Sequence, residues 1–146
     1  MVAISACLTG SKCRYNGTDT LNESLLACIG QAYISICPEV LAGFSTPRLP
    51  CEIIGGSGED VLDGKARIVD ASGTDITEQM IRGATKALTI CQQQKVSTAY
   101  MQPRSPTCGC GLIYDGTFTE TLKKGVGVFS ALLLRNGITV IQVSKK

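Results

Sequence analysis

Apolar residues occur along this chain in two alternating patterns, short continuous runs and repeats at helical spacing. The short runs predict strands buried within a sheet. These predicted strands lie at residues 2–6, 33–36, 65–73 (ending in a turn), 97–101, 111–114 (a brief extended piece) and 138–143. Residues 38–64 are interrupted by prolines and glycines, so we expect them to be mostly loop.

Helical repeats fall between these runs. A first helix is predicted from Leu21, Leu25, Cys28 and Ile29, and it ends at Gly30. Residues 126–136 predict a last helix, which Gly137 ends.

The clearest helix follows residue 74. Thr74 or Asp75 caps it, and Glu78 lies three residues after Asp75. Its apolar face comprises Ile76, Met80, Ala84, Leu88 and Cys91.

Strands that alternate with helices favour a parallel sheet covered on both faces. We therefore predict an α/β fold, a single three-layer, Rossmann-like domain over residues 1–146 with a mainly parallel sheet. No repeat, linker or shift in composition divides the chain, and 146 residues is an ordinary size for one domain.

Charge and hydropathy exclude several classes of partner. The formal net charge is only +2, and lysines and arginines are scattered, so the basic stripe of a nucleic-acid-binding protein is absent from the sequence. The longest apolar run, residues 128–134, is too short for a membrane span. The N-terminal residues lack the features of a signal peptide. We expect a cytoplasmic protein that binds neither nucleic acid nor membrane, and the sequence leaves its oligomeric state open.

Eight cysteines without any histidine are the main chemical feature. Four disulfides would be typical of a small secreted domain with a poor core, whereas 44% of these residues are hydrophobic. Metal binding or catalysis is the better interpretation, with some cysteines acting as small core residues. Cys28 and Cys91 fall on apolar helix faces, so we expect both to pack in the core.

Three cysteines follow predicted strands. Cys7 and Cys37 end the first two, and Cys108 follows the strand at 97–101 after a short loop. Carboxyl ends of parallel strands share one edge of a sheet, so the three sulfurs are predicted to converge there. Three thiolates leave one position of a metal centre open, and soft ligands favour iron–sulfur clusters or zinc. Spacing alone also allows reduced, buried cysteines.

Five motifs, in order from residue 5 to 141, resemble those of the thiouracil desulfurase family. They are SACLTGSKCRYNG, CPEVLAGFSTPR, EIIGG, SPTCGCGLIYDGTF and GVGVFSALLLRNGITVI. The resemblance implies non-redox desulfuration of a small thiolated pyrimidine, similar to 2-thiouracil, to its oxo form with release of hydrosulfide. It implies a [4Fe-4S] cluster with one open iron, held by Cys7, Cys37 and Cys108. It also implies a catalytic carboxylate at Glu39 and a catalytic hydroxyl at Ser105.

In this interpretation the thiocarbonyl sulfur binds the open iron while Glu39 activates water and Ser105 relays a proton or a hydrogen bond. Cys13, Cys51 and Cys110 lie in the motif loops and are further candidates to replace or assist a ligand. Arg48 is predicted either to hold a substrate carbonyl or an anion, or to pair with a carboxylate such as Glu52.

Alternatives from other classes remain at this stage. The cysteines suit a zinc-binding or thiol redox-sensing module without catalysis, or a thiol carrier in sulfur transfer. The sequence also leaves open which thiolated base would be the substrate.

Overall fold

A computed structural model describes residues 1–30 and 32–143. Its strands are β1 (Val2–Ser5), β2 (Tyr33–Ile36), β3 (Cys51–Ile54), β4 (Arg67–Asp70), β5 (Thr98–Met101), β6 (Cys110–Tyr114), β7 (Leu122–Val126) and β8 (Thr139–Gln142). Its helices are α1 (Glu23–Ile29), α2 (Pro38–Leu41), α3 (Gly58–Leu62), α4 (Thr77–Gln93) and α5 (Val128–Arg135), and a 3-10 turn spans Ala6–Thr9.

Four strands form a parallel sheet in the order β2-β1-β5-β8. Ile4 in β1 lies opposite Ser35 in β2 on one side and Tyr100 in β5 on the other. The chain runs outward from β1 to β2 and then crosses back to β5, so the strand order reverses between β1 and β5. A crevice outside the carboxyl ends of strands at such a reversal is the usual ligand position in open α/β sheets.

Side chains alternate between the two faces of this sheet and join two apolar clusters. Ala3, Ala99 and Met101 belong to the larger cluster, which includes the buried faces of α4 and α5. Ile4 belongs to the smaller cluster, to which Tyr100 and residues of α1 are joined. Helices therefore cover both faces, and the predicted three-layer α/β fold with a mainly parallel sheet is confirmed.

The apolar face predicted for the clearest helix is also confirmed. Met80, Ala84, Leu88 and Cys91 of α4 are buried. Its start differs from the prediction, because α4 begins at Thr77. Asp75, which lies before the helix, accepts hydrogen bonds from the backbone N–H (2.9 Å) and the hydroxyl (2.6 Å) of Thr77.

Two small antiparallel pairs were not foreseen. Residues 38–64 contain three short elements that the sequence did not predict, α2, β3 and α3, and the rest of this segment is loop. Pro38 starts α2, a position where proline loses no helical hydrogen bond. Strand β3 pairs with β4 and buries Ile53 against the larger cluster. Strand β7 pairs with β6 although its LKKGV sequence has no continuous apolar run.

The expectation for Cys28 was wrong, because this residue is exposed. Helix α1 turns Leu25, Leu26 and Ile29 toward the smaller cluster, and Cys28 is not among the residues that pack against it. Cys91 is fully buried, as expected. In the described part of the chain, no helix combines the length and the hydropathy that crossing a membrane requires.

Candidate functional site

A cavity of about 290 Å³ opens outside the carboxyl ends of β1, β2 and β5. Five of the eight cysteines line it, and all eight are free thiols. The cavity thereby brings together all the site residues selected from the sequence, which are Cys7, Cys37, Glu39, Ser105 and Cys108. Cys13 and Cys51 line it as well.

Three neighbouring strands deliver three of these cysteines. Cys7 lies in the 3-10 turn that follows β1, Cys37 caps α2 directly after β2, and Cys108 lies in the loop after β5. Helix α2 approaches α4 closely, since a Cβ atom at Gly83 would lie 2.3 Å from the carbonyl oxygen of Pro38. Gly83 therefore allows the segment that carries Cys37 to settle beside the sheet.

Cys13 interacts with Cys7 and Cys37 and changes how readily they ionise. The pKa of Cys7 is lowered because hydrogen bonding with Cys13, assisted by Thr20, outweighs burial. Hydrogen bonding with Cys13 and then burial raise the pKa of Cys37. For Cys13 itself, hydrogen bonding with Cys37 lowers the pKa, but hydrogen bonding with Cys7 and burial outweigh it, so the net shift is upward. Of the three, Cys7 is the thiol best prepared to become a thiolate.

Cys108 is buried to the same extent as Cys7, since each is 7% exposed. Burial and then the charge of Glu39 raise the pKa of its thiol. Cys51 behaves in the same way, since burial and then Glu39 raise its pKa. These thiols stay protonated unless a cation stabilises the thiolate.

The donor set fits an iron–sulfur cluster. Within residues 1–30 and 32–143, no three Cys, Asp or Glu side chains lie close enough to hold a single metal ion. Ligands that each bind a different iron of a cluster are spaced farther apart than ligands that share one ion. Five cysteine sulfurs line one cavity, and the chain has no imidazole. Soft sulfur donors of this kind are typical of such clusters.

Glu39 in α2 forms a largely buried ion pair with Arg48. Arg48 donates from Nε to Oε2 of Glu39 at 3.0 Å, and its Nη2 contacts the same oxygen. The two side chains are only 16% and 11% exposed. Nη2 also donates to the carbonyl of Cys13 at 2.9 Å. Arg48 thus pairs with Glu39 and not with Glu52, and it joins α2 to the loop that carries Cys13.

Ser105 fixes the loop of Cys108. Its hydroxyl oxygen accepts hydrogen bonds from the backbone N–H groups of Thr107 (2.9 Å) and Cys108 (2.7 Å). Both contacts use the oxygen as acceptor, so the O–H group retains its capacity to donate. Ser105 therefore has a structural task that the sequence did not reveal, beside the catalytic one implied by the resemblance.

The start of α5 holds the same loop from the other side. Val128 N–H donates to the carbonyl of Pro106 (2.8 Å), and Phe129 N–H donates to that of Thr107 (2.9 Å). The Ser130 hydroxyl donates to the carbonyl of Cys108 at 2.7 Å. A Cβ atom at Gly127 would lie 2.4 Å from the Thr107 carbonyl, so the loop and the helix touch through backbone alone.

The other cysteines differ in whether they line the cavity. Cys13 and Cys51 line the cavity, whereas Cys110 lies in β6 and is not among the described residues that line it. Cys91 is in the core, where burial raises its pKa to about 11. Sequence reasoning missed further lining residues on the β6–β7 hairpin, because β7 was not predicted; these are Tyr114, Phe118 and Glu120.

Known proteins share this sequence and fold. The chain matches the 2-thiouracil desulfurase family over residues 2–145. It is 46% identical to the uncharacterized protein YbbK of Bacillus subtilis (strain 168) over 142 residues, which are 97% of this chain and 94% of YbbK. A solved structure of the [4Fe-4S]-dependent thiouracil desulfidase TudS is similar with a TM-score of 0.81 and 37% identity, covering 97% of this chain and 89% of TudS.

Proposed function

The chain belongs to the 2-thiouracil desulfurase family, and from this premise we propose that it is an iron–sulfur-dependent enzyme that removes sulfur from a thiolated pyrimidine. A base such as 2-thiouracil would be converted to its oxo form with release of hydrosulfide. The observation that carries this proposal is the cavity that Cys7, Cys37 and Cys108 share with Glu39 and Ser105. The similar solved structure, a [4Fe-4S]-dependent thiouracil desulfidase, supports it.

Cys7, Cys37 and Cys108 would hold a [4Fe-4S] cluster. When bound, such a cluster supplies a Lewis-acidic iron without a protein ligand, to which a soft thiocarbonyl sulfur is attracted. We assign these three cysteines because each follows a neighbouring strand of the sheet. Cys13 reaches the cavity from a loop and hydrogen-bonds with Cys7 and Cys37, which suits a role in tuning the two thiols.

Glu39 is the proposed general base. Arg48 occupies Oε2, and none of the described residues donates a hydrogen bond to Oε1. Oε1 can therefore accept a proton from water that attacks the ring carbon bearing sulfur. The water oxygen becomes the new carbonyl oxygen, the C–S bond breaks, and sulfur leaves as hydrosulfide. No oxidant or reductant is consumed.

Ser105 would act as a donor during this step. Its oxygen is held by two backbone N–H groups, and its O–H group stays available to donate. A hydroxyl fixed in this way loses little conformational freedom when it donates to the substrate.

The direct test uses protein purified without oxygen and reconstituted with iron and sulfide. We expect a brown protein that converts 2-thiouracil into equal amounts of uracil and sulfide, measured by chromatography and a sulfide assay. Cys7→Ser, Cys37→Ser and Cys108→Ser should each lose colour and turnover together. Cys28→Ser, which alters an exposed residue, is the matched control and should keep both.

Two results would overturn the proposal. A colourless protein that retains one equivalent of zinc and leaves thiolated bases unchanged would favour the zinc-binding alternative. If Cys13→Ser bleaches the protein while one of the three assigned variants stays brown, the ligand assignment is wrong.

A further inference from the structure

The tip of the β6–β7 hairpin, residues 115–121, contributes an aromatic ring to the cavity. Three phenylalanines occur in the chain. Phe129 is fully buried in the larger cluster, and Phe44 packs against it. Phe118 is half-buried, belongs to neither cluster of the described residues, and lines the cavity. Core packing therefore does not account for an aromatic residue at this position.

The backbone at the cavity adopts an unusual conformation. Arg104, Phe118 and Glu120 have positive φ angles of 70°, 57° and 60°. All three line the cavity, and they are three of the four non-glycine residues with positive φ in the described part of the chain. Such conformations are unfavourable for residues with a Cβ atom, and they persist where the surrounding structure enforces them, commonly at functional sites.

A buried carboxylate enforces the conformation of Phe118. Glu52 in β3 is 7% exposed, and its Oε1 accepts hydrogen bonds from the backbone N–H groups of Gly116 (2.9 Å) and Phe118 (3.3 Å). The hairpin tip also lies directly on β3, since a Cβ atom at Gly116 would be 2.6 Å from the carbonyl of Ile53. Glu52 and Gly116 together fix the backbone from which the Phe118 ring projects.

We infer that Phe118 is a substrate-binding residue whose ring stacks on the planar base, and that Glu52 is the positioning residue that holds it there. This inference rests on the proposed function, because it takes a pyrimidine ring as the ligand. Cys7, Cys13 and Cys108 are buried within the cavity, whereas Phe118 is partly exposed. Leu49 and Tyr15 are exposed on the cavity lining. A base with its sulfur toward the cysteines would leave its ring beside these outer residues.

Stacking recognises the ring and not the position of its sulfur. Every base offers a planar π face, and aromatic side chains bind such faces without reading substituents. Phe118 should therefore contribute equally to the binding of 2-thiouracil and of uracil, which carries no sulfur. A residue that acted through the cluster would affect the thiolated base alone.

The test compares Phe118→Ala, Phe118→Leu and Phe118→Tyr in the reconstituted protein. Phe118→Ala should raise the KM for 2-thiouracil and the inhibition constant of uracil by the same factor, about five- to hundredfold. The value of kcat and the cluster absorbance should stay within about twofold. Phe118→Tyr should resemble the wild type, and Phe118→Leu should resemble Phe118→Ala. Leu112→Ala, an exposed change in the same hairpin, is the control and should alter neither constant.

Two substitutions of Glu52 test its positioning role separately. Glu52→Gln keeps a side-chain oxygen that can accept from Gly116 and Phe118, so both constants should stay near those of the wild type. Glu52→Leu removes the acceptor, and both constants should rise as in Phe118→Ala while the cluster absorbance is kept. If Glu52→Gln raises both constants as much as Glu52→Leu does, the positioning role assigned to the hydrogen bonds of Glu52 is overturned.

The outcomes separate this inference from the proposed function. Unchanged constants in a fully loaded Phe118→Ala protein overturn the inference, and so does loss of the cluster, which would make Phe118 structural. Calorimetry with uracil alone covers the remaining case. If the wild type binds uracil but removes no sulfur from thiolated bases, and Phe118→Ala weakens uracil binding, the inference stands and the proposed function fails.

Discussion

At the scale of single residues, the arrangement around Glu39 decides how the proposed chemistry would run. An isolated buried carboxylate is unfavourable, and Arg48 stabilises it through an ion pair that uses one oxygen. The other oxygen keeps its acceptor capacity. A single arginine thus both orients the proposed base and, through the Cys13 carbonyl, holds the loop of a neighbouring thiol.

Glu39→Gln tests the base. Glutamine has nearly the same shape and still accepts a hydrogen bond from Arg48, but it cannot take a proton from water. We expect turnover of 2-thiouracil to fall by about two to four orders of magnitude, the usual contribution of general acid–base catalysis, with the cluster spectrum retained.

The matched control is Glu59→Gln, because Glu59 also pairs with an arginine, Arg135, but on an exposed surface. Its turnover should be unchanged. A fully active Glu39→Gln protein would show that this carboxylate has no catalytic role, and a colourless one would show that it supports the cluster.

At the scale of elements, hydrogen bonds from the start of α5 hold the loop of Cys108 in place. The first N–H groups of a helix have no partners within the helix, and here they bind the carbonyls of Pro106 and Thr107. The apolar pattern of α5 predicts only that this helix packs against the sheet. In the folded chain it is also the support of a proposed ligand.

Gly127→Ala tests this support. The added methyl group would meet the Thr107 backbone at 2.4 Å, which neither segment can avoid without moving. We expect the free energy of unfolding of the cluster-free protein to fall by about 3 kcal/mol in urea titrations. We also expect reconstituted protein to contain less iron per chain.

Gly73→Ala provides the comparison, because Gly73 lies in open space in a turn with a φ of 87°. Gly73→Ala should lower the free energy of unfolding by about 1 kcal/mol, because alanine is unfavourable at this φ angle. The iron content per chain should stay unchanged. Equal iron content in Gly127→Ala and wild type would mean that the loop does not need α5.

Apolar periodicity explains which elements could be predicted. Strand β1 is buried throughout and α4 is buried on one face, so their sequences carry an apolar run or a helical face. The edge strands β2 and β8 are largely exposed. Strand β7 has a Lys-Lys-Gly sequence and is held mainly by pairing with β6, which no periodicity records. The rule that strand ends meet at one edge was enough to bring Cys7, Cys37 and Cys108 together. It could not show that Arg48 pairs with Glu39, because that contact depends on how two loops fold.

At the scale of the whole molecule, the three proposed ligands come from segments that are far apart in sequence. A cluster bound by all three would close two long loops of the chain and act as a cross-link. Cross-links of this kind stabilise a protein mainly by restricting its unfolded state, and a ligand bound only by the folded state adds its binding free energy. Stability should therefore depend on the cluster.

Removal of the cluster tests this dependence. We expect the cluster-free protein to melt on the order of 10 °C below the reconstituted protein, measured by circular dichroism without oxygen. Cys37→Ser, which lacks one proposed ligand, should melt at the same temperature before and after the reconstitution treatment. Identical melting temperatures of wild-type protein with and without cluster would contradict the cross-link.

The contact between α5 and the loop of Cys108 also determines when, during synthesis of the chain, a cluster can be inserted. Cys7 and Cys37 leave the ribosome early in synthesis. The carbonyls of residues 106–109 form their hydrogen bonds only after residues 127–130, which donate to them, have been synthesised. Early segments of a chain begin to fold during synthesis, but here they offer only two of the three proposed sulfurs. A cluster delivered to the nascent chain would find an incomplete set of ligands. Its insertion therefore belongs after residues 127–130 have been synthesised and have packed against the loop of Cys108.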